Sequence, residues 1–267
     1  MNSIQRKVFD KLYFINKKTY ISLILSIYFI NFLLVSNFLV ETDKMQANVI
    51  DYILYLFNDF YFIFFLSYIL ISILIFPLNL NLHIDKYIYI RYQSRKKWFM
   101  SRIFLISFCS MIFIMTIVLI SLIQLISRFK EITTWTQFGS YYFSDIYPFY
   151  ELSPLSAVII SVALVYLYLF SLSLISFVSG LFFSKKIYGF FLAITLNLAN
   201  ILIYLNNIKI LSEFGFCLNT ILSFQNSRRI SFGNTVFSIF YWLFIIFVTT
   251  ILGLIKINNM DLDRDNV

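Results

Sequence analysis

One histidine, His83, two cysteines, Cys109 and Cys217, and thirteen carboxylates are the main groups in this 267-residue sequence that could titrate, attack or bind a metal. Their spacing assembles no reaction centre. There is no H-E-x-x-H pair to hold zinc on one helix face, and no G-x-S-x-G turn to present a nucleophilic serine. The cysteines are too far apart in sequence to read as a zinc or redox motif. Cys109 stands in an apolar run, where a free thiol packs as a small hydrophobe. No G-x-x-x-x-G-K-S/T loop is present to cradle a nucleotide phosphate. With one histidine and no carboxylate inside the apolar runs, general acid–base catalysis lacks its players. We expect no enzyme activity, no metal and no cofactor in this chain. The polar groups inside the runs include Gln124, Asn197 and Asn200. Asn197 and Asn200 fall at i, i+3 on one helix face. Such amides hydrogen-bond neighbouring helices, or with Gln124 they line a translocation path.

The elements that carry these groups follow from composition. Sixty per cent of the residues are hydrophobic and 13% charged, against about 45–50% and about 25% in an average soluble domain. With 33 Phe and 19 Tyr, this excludes an ordinary soluble domain, a disordered chain and a disulfide scaffold. A membrane-crossing helix needs about 20 apolar residues. Six stretches qualify: 20–40, 60–80, 103–126, 155–183, 187–205 and 235–254. None holds Asp, Glu, Lys or Arg. They are continuously apolar, so they do not alternate as the strands of a membrane barrel would. The first run is too long for a signal peptide and lacks a small-x-small cleavage site. The expected fold is therefore an all-α integral membrane protein of six transmembrane helices, a single domain over 1–267 without internal repeats.

The formal net charge of +8 is sorted by side. Five basic residues precede the first run (Arg6, Lys7, Lys11, Lys17, Lys18), and six lie between the second and third (Lys86, Arg91, Arg95, Lys96, Lys97, Arg102). With Lys185, Lys186, Lys256 and Arg264, these put 15 of the 21 on one side. The positive-inside rule places that side, and both termini, in the cytoplasm. The excess charge thus orients the chain and attracts anionic lipid, and we expect no nucleic-acid partner. Runs empty of ionisable residues and of Gly/Pro breaks speak against proton-coupled or other self-powered transport.

Two basic segments carry more pattern than orientation requires. In residues 3–18, Ile4, Val8, Phe9, Leu12 and Tyr13 form one helical stripe opposite a charged face, an amphipathic helix lying in the membrane interface over 1–18. In residues 81–102, Ile84, Tyr87, Ile88 and Arg91 share a helical face ahead of the cluster Arg95, Lys96 and Lys97, as a docking helix needs an apolar ridge with a polar rim. On the opposite side, residues 127–154 are dense in aromatics. Residues 206–234 are too interrupted to span and read as a re-entrant or interfacial hairpin around Gly215.

This arrangement resembles the ABC-2-type permeases, the membrane subunits of ATP-binding-cassette exporters. The stretch Arg91-Tyr92-Gln93-Ser94-Arg95-Lys96-Lys97-Trp98 is similar to the R-Y-x-S-R-x-x-W/F stretch of small Gram-positive permeases, several of which serve peptide export or antimicrobial-peptide immunity. The resemblance implies that Ile84, Tyr87, Ile88, Arg91, Tyr92, Ser94, Arg95, Lys96 and Lys97 form the coupling loop for a dimeric ATPase subunit. ATP and Mg would be bound by that partner, not by this chain. It further implies a second permease copy or paralogue, and a multi-pass place in the plasma membrane. The cargo expected is amphipathic, peptide-like or lipid-like. The alternative is a non-transporting immunity or complex-assembly protein that binds a toxin or partner through its external aromatic loops.

Overall fold

The computed structural model describes residues 17–42, 45–80, 94–125, 135–143, 152–183, 187–206, 213–227 and 234–259. The stripe Ile4, Val8, Phe9, Leu12 and Tyr13, and the residues Ile84, Tyr87, Ile88, Arg91 and Tyr92, lie outside them. The described residues are helical, with no strand among them. In chain order they form α1 (Lys17–Glu41), α2 (Val49–Asn58), a π turn (Phe62–Ser67) running into α3 (Tyr68–Leu80), and α4 (Arg95–Leu125). Then follow α5 (Gln137–Phe143), α6 (Pro154–Gly180), α7 (Ile187–Leu205), α8 (Phe216–Thr220), a 3-10 turn (Leu222–Ser227) and α9 (Asn234–Asn258).

Five helices, α1, α4, α6, α7 and α9, are long and apolar enough to cross a membrane, which suggests a membrane-spanning protein. Their ranges match five of the expected runs. The main departure is α4, which begins two turns earlier than the apolar run. Its first turns are basic, but Trp98 and Phe99 turn inward and are buried, so the helix gains packing before the apolar stretch starts. The sixth run differs more. Residues 62–80 are helical, but α2 precedes them and meets them at 71°. At ten residues and ~1.5 Å per residue, α2 is about 15 Å long, too short to cross a ~30 Å hydrocarbon core.

The sequence explains the break. Asn48 caps α2 from outside the helix: its side chain accepts from Asp51 N, and Asp51 Oδ2 accepts from Asn48 N at 2.9 Å. This is the reciprocal capping box, written with Asn and Asp. Asn58 and Asp59 end the helix, as residues whose side chains compete for backbone groups do. Asp59 adopts an extended conformation and its Oδ1 accepts from Phe62 N at 2.6 Å, starting the next helix.

α6 is the axis of the bundle. It packs against α2, α3, α4, α7, α8 and α9, while α1 packs chiefly on α4. Ser153 caps it and Pro154 opens it, the usual use of proline where no N–H is needed. Its own Tyr168 is fully buried, among the fully buried rings of Phe57, Phe64 and Trp242. Tyr168 meets Phe64 and Trp242 edge-on at 5.0 and 5.7 Å, an arrangement preferred by aromatic quadrupoles.

Candidate functional site

In a lipid environment apolar side chains gain little by leaving the solvent, so helices are positioned by close packing and hydrogen bonds. The polar side chains of the core therefore show where the structure is specified. The buried amides lie toward the end of the bundle opposite Arg95, where α2, α5, α8 and the 3-10 turn meet the long helices.

Three amides organise this end. Asn58 donates to Leu54 O at 2.8 Å and to Ser161 Oγ on α6 at 3.3 Å, and accepts from Ser223 N at 3.0 Å. Asn200 on α7 accepts from Phe216 N at 3.0 Å, so it caps α8 where Gly215 offers no side chain. Asn219 in α8 donates to Gly215 O at 2.8 Å, while its carbonyl accepts from Trp242 Nε1 on α9 at 2.9 Å. Residues 213–227 are thus not a surface loop. Phe216 to Leu222 are all buried, and a broken backbone survives there because side chains satisfy it. The described part of this segment is broken into a short helix and a 3-10 turn, as its interrupted sequence implies.

Asn197 lies one turn from Asn200 on α7 and is 2% exposed. It accepts from Tyr168 Oη at 2.9 Å and donates to Phe64 O at 3.0 Å. Phe64 sits inside the π turn, where the helical hydrogen-bond ladder is shifted, and Asn197 supplies its carbonyl with a side-chain donor. Gln124 is placed elsewhere. Its Oε1 accepts from Asn31 Nδ2 on α1 at 2.8 Å, and Asn31 Oδ1 in turn accepts from Tyr52 Oη at 2.8 Å. The three amides singled out in the sequence therefore do not face one another: Gln124 joins α1, whereas Asn197 and Asn200 join α6, the π turn and α8. Asn31 completes the first group, and an amide in the middle of an apolar run was the signal for it.

A carboxyl is buried beside this network. Asp51 is 0% exposed, although the connection between the first two runs reads in the sequence as external. Its Oδ2 takes the Thr136 hydroxyl at 2.5 Å, and Thr136 Oγ1 accepts from Gly139 N at 3.1 Å. Its Oδ1 has no hydrogen-bond partner. A Cβ on Gly139 would lie 2.4 Å from that oxygen, so only glycine lets α5 close over the carboxyl. Phe138 N donates to Gln46 O at 3.0 Å and the Phe138 ring packs on Phe38. Together these contacts hold residues 135–143 as a cap on α1 and α2. Asp51 lies on α2, outside the five long apolar helices, and burial pushes its carboxyl above the ordinary range. The Thr136 and Asn48 hydrogen bonds pull it back only in part.

At the other end, the predicted docking cluster is divided. Ser94 O accepts from Trp98 N at the start of α4. Arg95 reaches across and donates to Asn258 O at 3.1 Å and Ile257 O at 3.4 Å, the orphan carbonyls at the end of α9. Lys96 and Lys97 are exposed. Lys256 sits 5.6 Å over the Phe182 ring, a cation–π distance. Among the described residues no group of three His, Cys, Asp or Glu is arranged to hold a metal ion.

Comparison with known proteins places the chain only loosely. No protein-family model matches it, and no solved structure matches it. It is similar to an uncharacterized protein of Halalkalibacterium halodurans, 24% identical over 260 residues, which are 94% of this chain and 92% of the relative. The likeness runs nearly end to end rather than over one segment.

Proposed function

We propose that this chain is the transmembrane permease subunit of an ATP-binding-cassette exporter of the ABC-2 type, set in the plasma membrane with both termini in the cytoplasm. The π turn and α3, Phe62–Leu80, supply the sixth span, and α2 lies outside it. A separate ATPase binds ATP and Mg, and its closure moves the basic segment ahead of α4. The observation that carries the reading is the exposed pair Lys96 and Lys97 at the start of a 31-residue helix. At ~1.5 Å per residue that helix is about 46 Å long, more than a bilayer core. A push at its charged end is delivered along a rigid rod into the bundle. The folded-in segment 213–227 at the far end supports the same reading, as does the lack of ionisable residues in the long apolar runs, since the energy then comes from another subunit. The cargo is amphipathic, peptide-like or lipid-like, and a second permease copy or paralogue completes the pore. Exposed Tyr141 and Tyr142 on α5 favour the second reading, a non-transporting immunity or assembly protein whose outer aromatic surface binds a toxin or partner.

The test is purification from the native host. An ATPase with a phosphate-binding loop co-purifies with the wild-type chain, and the double charge reversal Lys96→Glu/Lys97→Glu weakens that association at least tenfold while the protein remains folded. A native preparation with no ATPase partner ends the permease reading.

A further inference from the structure

We propose that Asp51 is a proton-binding site, and that its bound proton holds the cap formed by residues 135–143 onto α2. The geometry carries this independently of any transport role. The carboxyl has no exposure, and one of its two oxygens faces no donor. That oxygen is covered by the Gly139 backbone, so among the described residues no side chain reaches it to solvate a charge. Nor does a counter-charge face it among the described residues. On its own helix, Tyr52 turns to Asn31, Tyr55 to Glu41 of α1, and Asp59 to Phe62 N. From the cap come Thr136, Trp135 and Gly139, while Tyr141 is exposed and Tyr142 packs on the Tyr55 ring of α2 at 5.8 Å. α6, which packs along α2, carries only Tyr166 and Tyr168 as titratable groups, bonded to Ser107 and Asn197.

Two donors on Oδ2 and the start of a helix favour a negative charge, but they leave Oδ1 uncompensated. An added proton on Oδ2, donated to Thr136 Oγ1 2.5 Å away, removes the charge and keeps the link, with the threonine's own hydroxyl proton turned out of that contact. Loss of that proton to water leaves a carboxylate that gains hydration only if α5 lifts. The closed cap binds the proton more tightly than the open one, so raising pH favours opening. Asp51 would make the cap a latch that responds to external pH.

The experiment is infrared spectroscopy of the full-length chain in phospholipid nanodiscs, paired with hydrogen exchange over residues 135–143. At neutral pH the wild type shows a protonated-carboxyl band, and Asp51→Asn loses it. Between the ordinary carboxylate range and the pH at which the closed cap titrates, exchange in the cap, corrected for the intrinsic rate, rises by up to roughly tenfold per pH unit in the wild type and then levels off, and it stays flat in Asp51→Asn. Should that variant fail to fold, Thr136→Val decides, because it keeps the carboxyl and shifts its band by removing the hydroxyl. A wild type ionised at neutral pH overturns the proposal, as does a band that survives in Asp51→Asn or is unmoved in Thr136→Val.

Discussion

At the Arg95 end of the bundle the helices meet backbone against backbone, whereas at the Asp51 end they are joined through side-chain amides. A Cβ on Gly189 of α7 would stand 2.3 Å from Gly180 N and 2.5 Å from Ser176 O of α6. Phe99, stacked on Phe177, fills the space that a side chain at Gly253 would need. Such contact is made of many small dispersion terms, and it is lost or kept as a whole. The amide end is built from single directed bonds, each worth about 0.5–1.5 kcal/mol, and each holds one short piece of chain. The difference teaches that the first end fixes the bundle and the second fixes what is folded into it. An interrupted segment can then be held, and released, without loosening the long helices.

The largest expected effect breaks the packed end. Gly189→Val drives a branched side chain into the α6 backbone, which cannot shift as a side-chain tip can. The cost is several kcal/mol, at or above the ~1–3 kcal/mol usual for overpacking. Thermal unfolding in detergent should show a large fall in Tm, felt at both ends of the molecule. A smaller, local effect is expected at the amide end. Asn200→Leu leaves Phe216 N without its acceptor, for about 1–3 kcal/mol. The long helices should keep their stability while Cys217, now 1% exposed, becomes reactive to a thiol reagent. If Tm falls as far as in Gly189→Val, or Cys217 stays protected, the two ends are not separable in this way. The smallest effect is Arg95→Gln, which removes a cation from the last turn of α9. The loss is about 0.3–1 kcal/mol, seen as faster hydrogen exchange over residues 255–259 with an unchanged global Tm.

How far the sequence could be read follows from the physics of each region. Five apolar runs became long helices within a turn or two at most ends, because length and continuous hydrophobicity suffice where unsatisfied backbone is forbidden. Which face of each helix would pack was hidden. A helix that is apolar all round carries no stripe that points to the core, so the central place of α6 and the outer place of α1 had no signature. Residues 49–58 form no membrane-length run, since ten residues cannot span, although the Asn48–Asp51 capping box is written in the chain. Arg95, Lys96 and Lys97 read as one cluster, yet adjacent helical positions point about 100° apart, and only the fold could send Arg95 inward to α9.

By itself, then, the sequence determined that the described residues are helical, where the long apolar segments lie, and that the segment around Gly215 is interrupted, because these depend on local composition and backbone satisfaction. The tertiary structure decided the partners. It gave Asn197 the π turn at Phe64, gave Asn200 the start of α8, and buried Asp51 under Gly139. Each of these pairings joins residues far apart in sequence or separated by a loop, and a hydrogen bond or a steric fit between them exists only once the helices have packed.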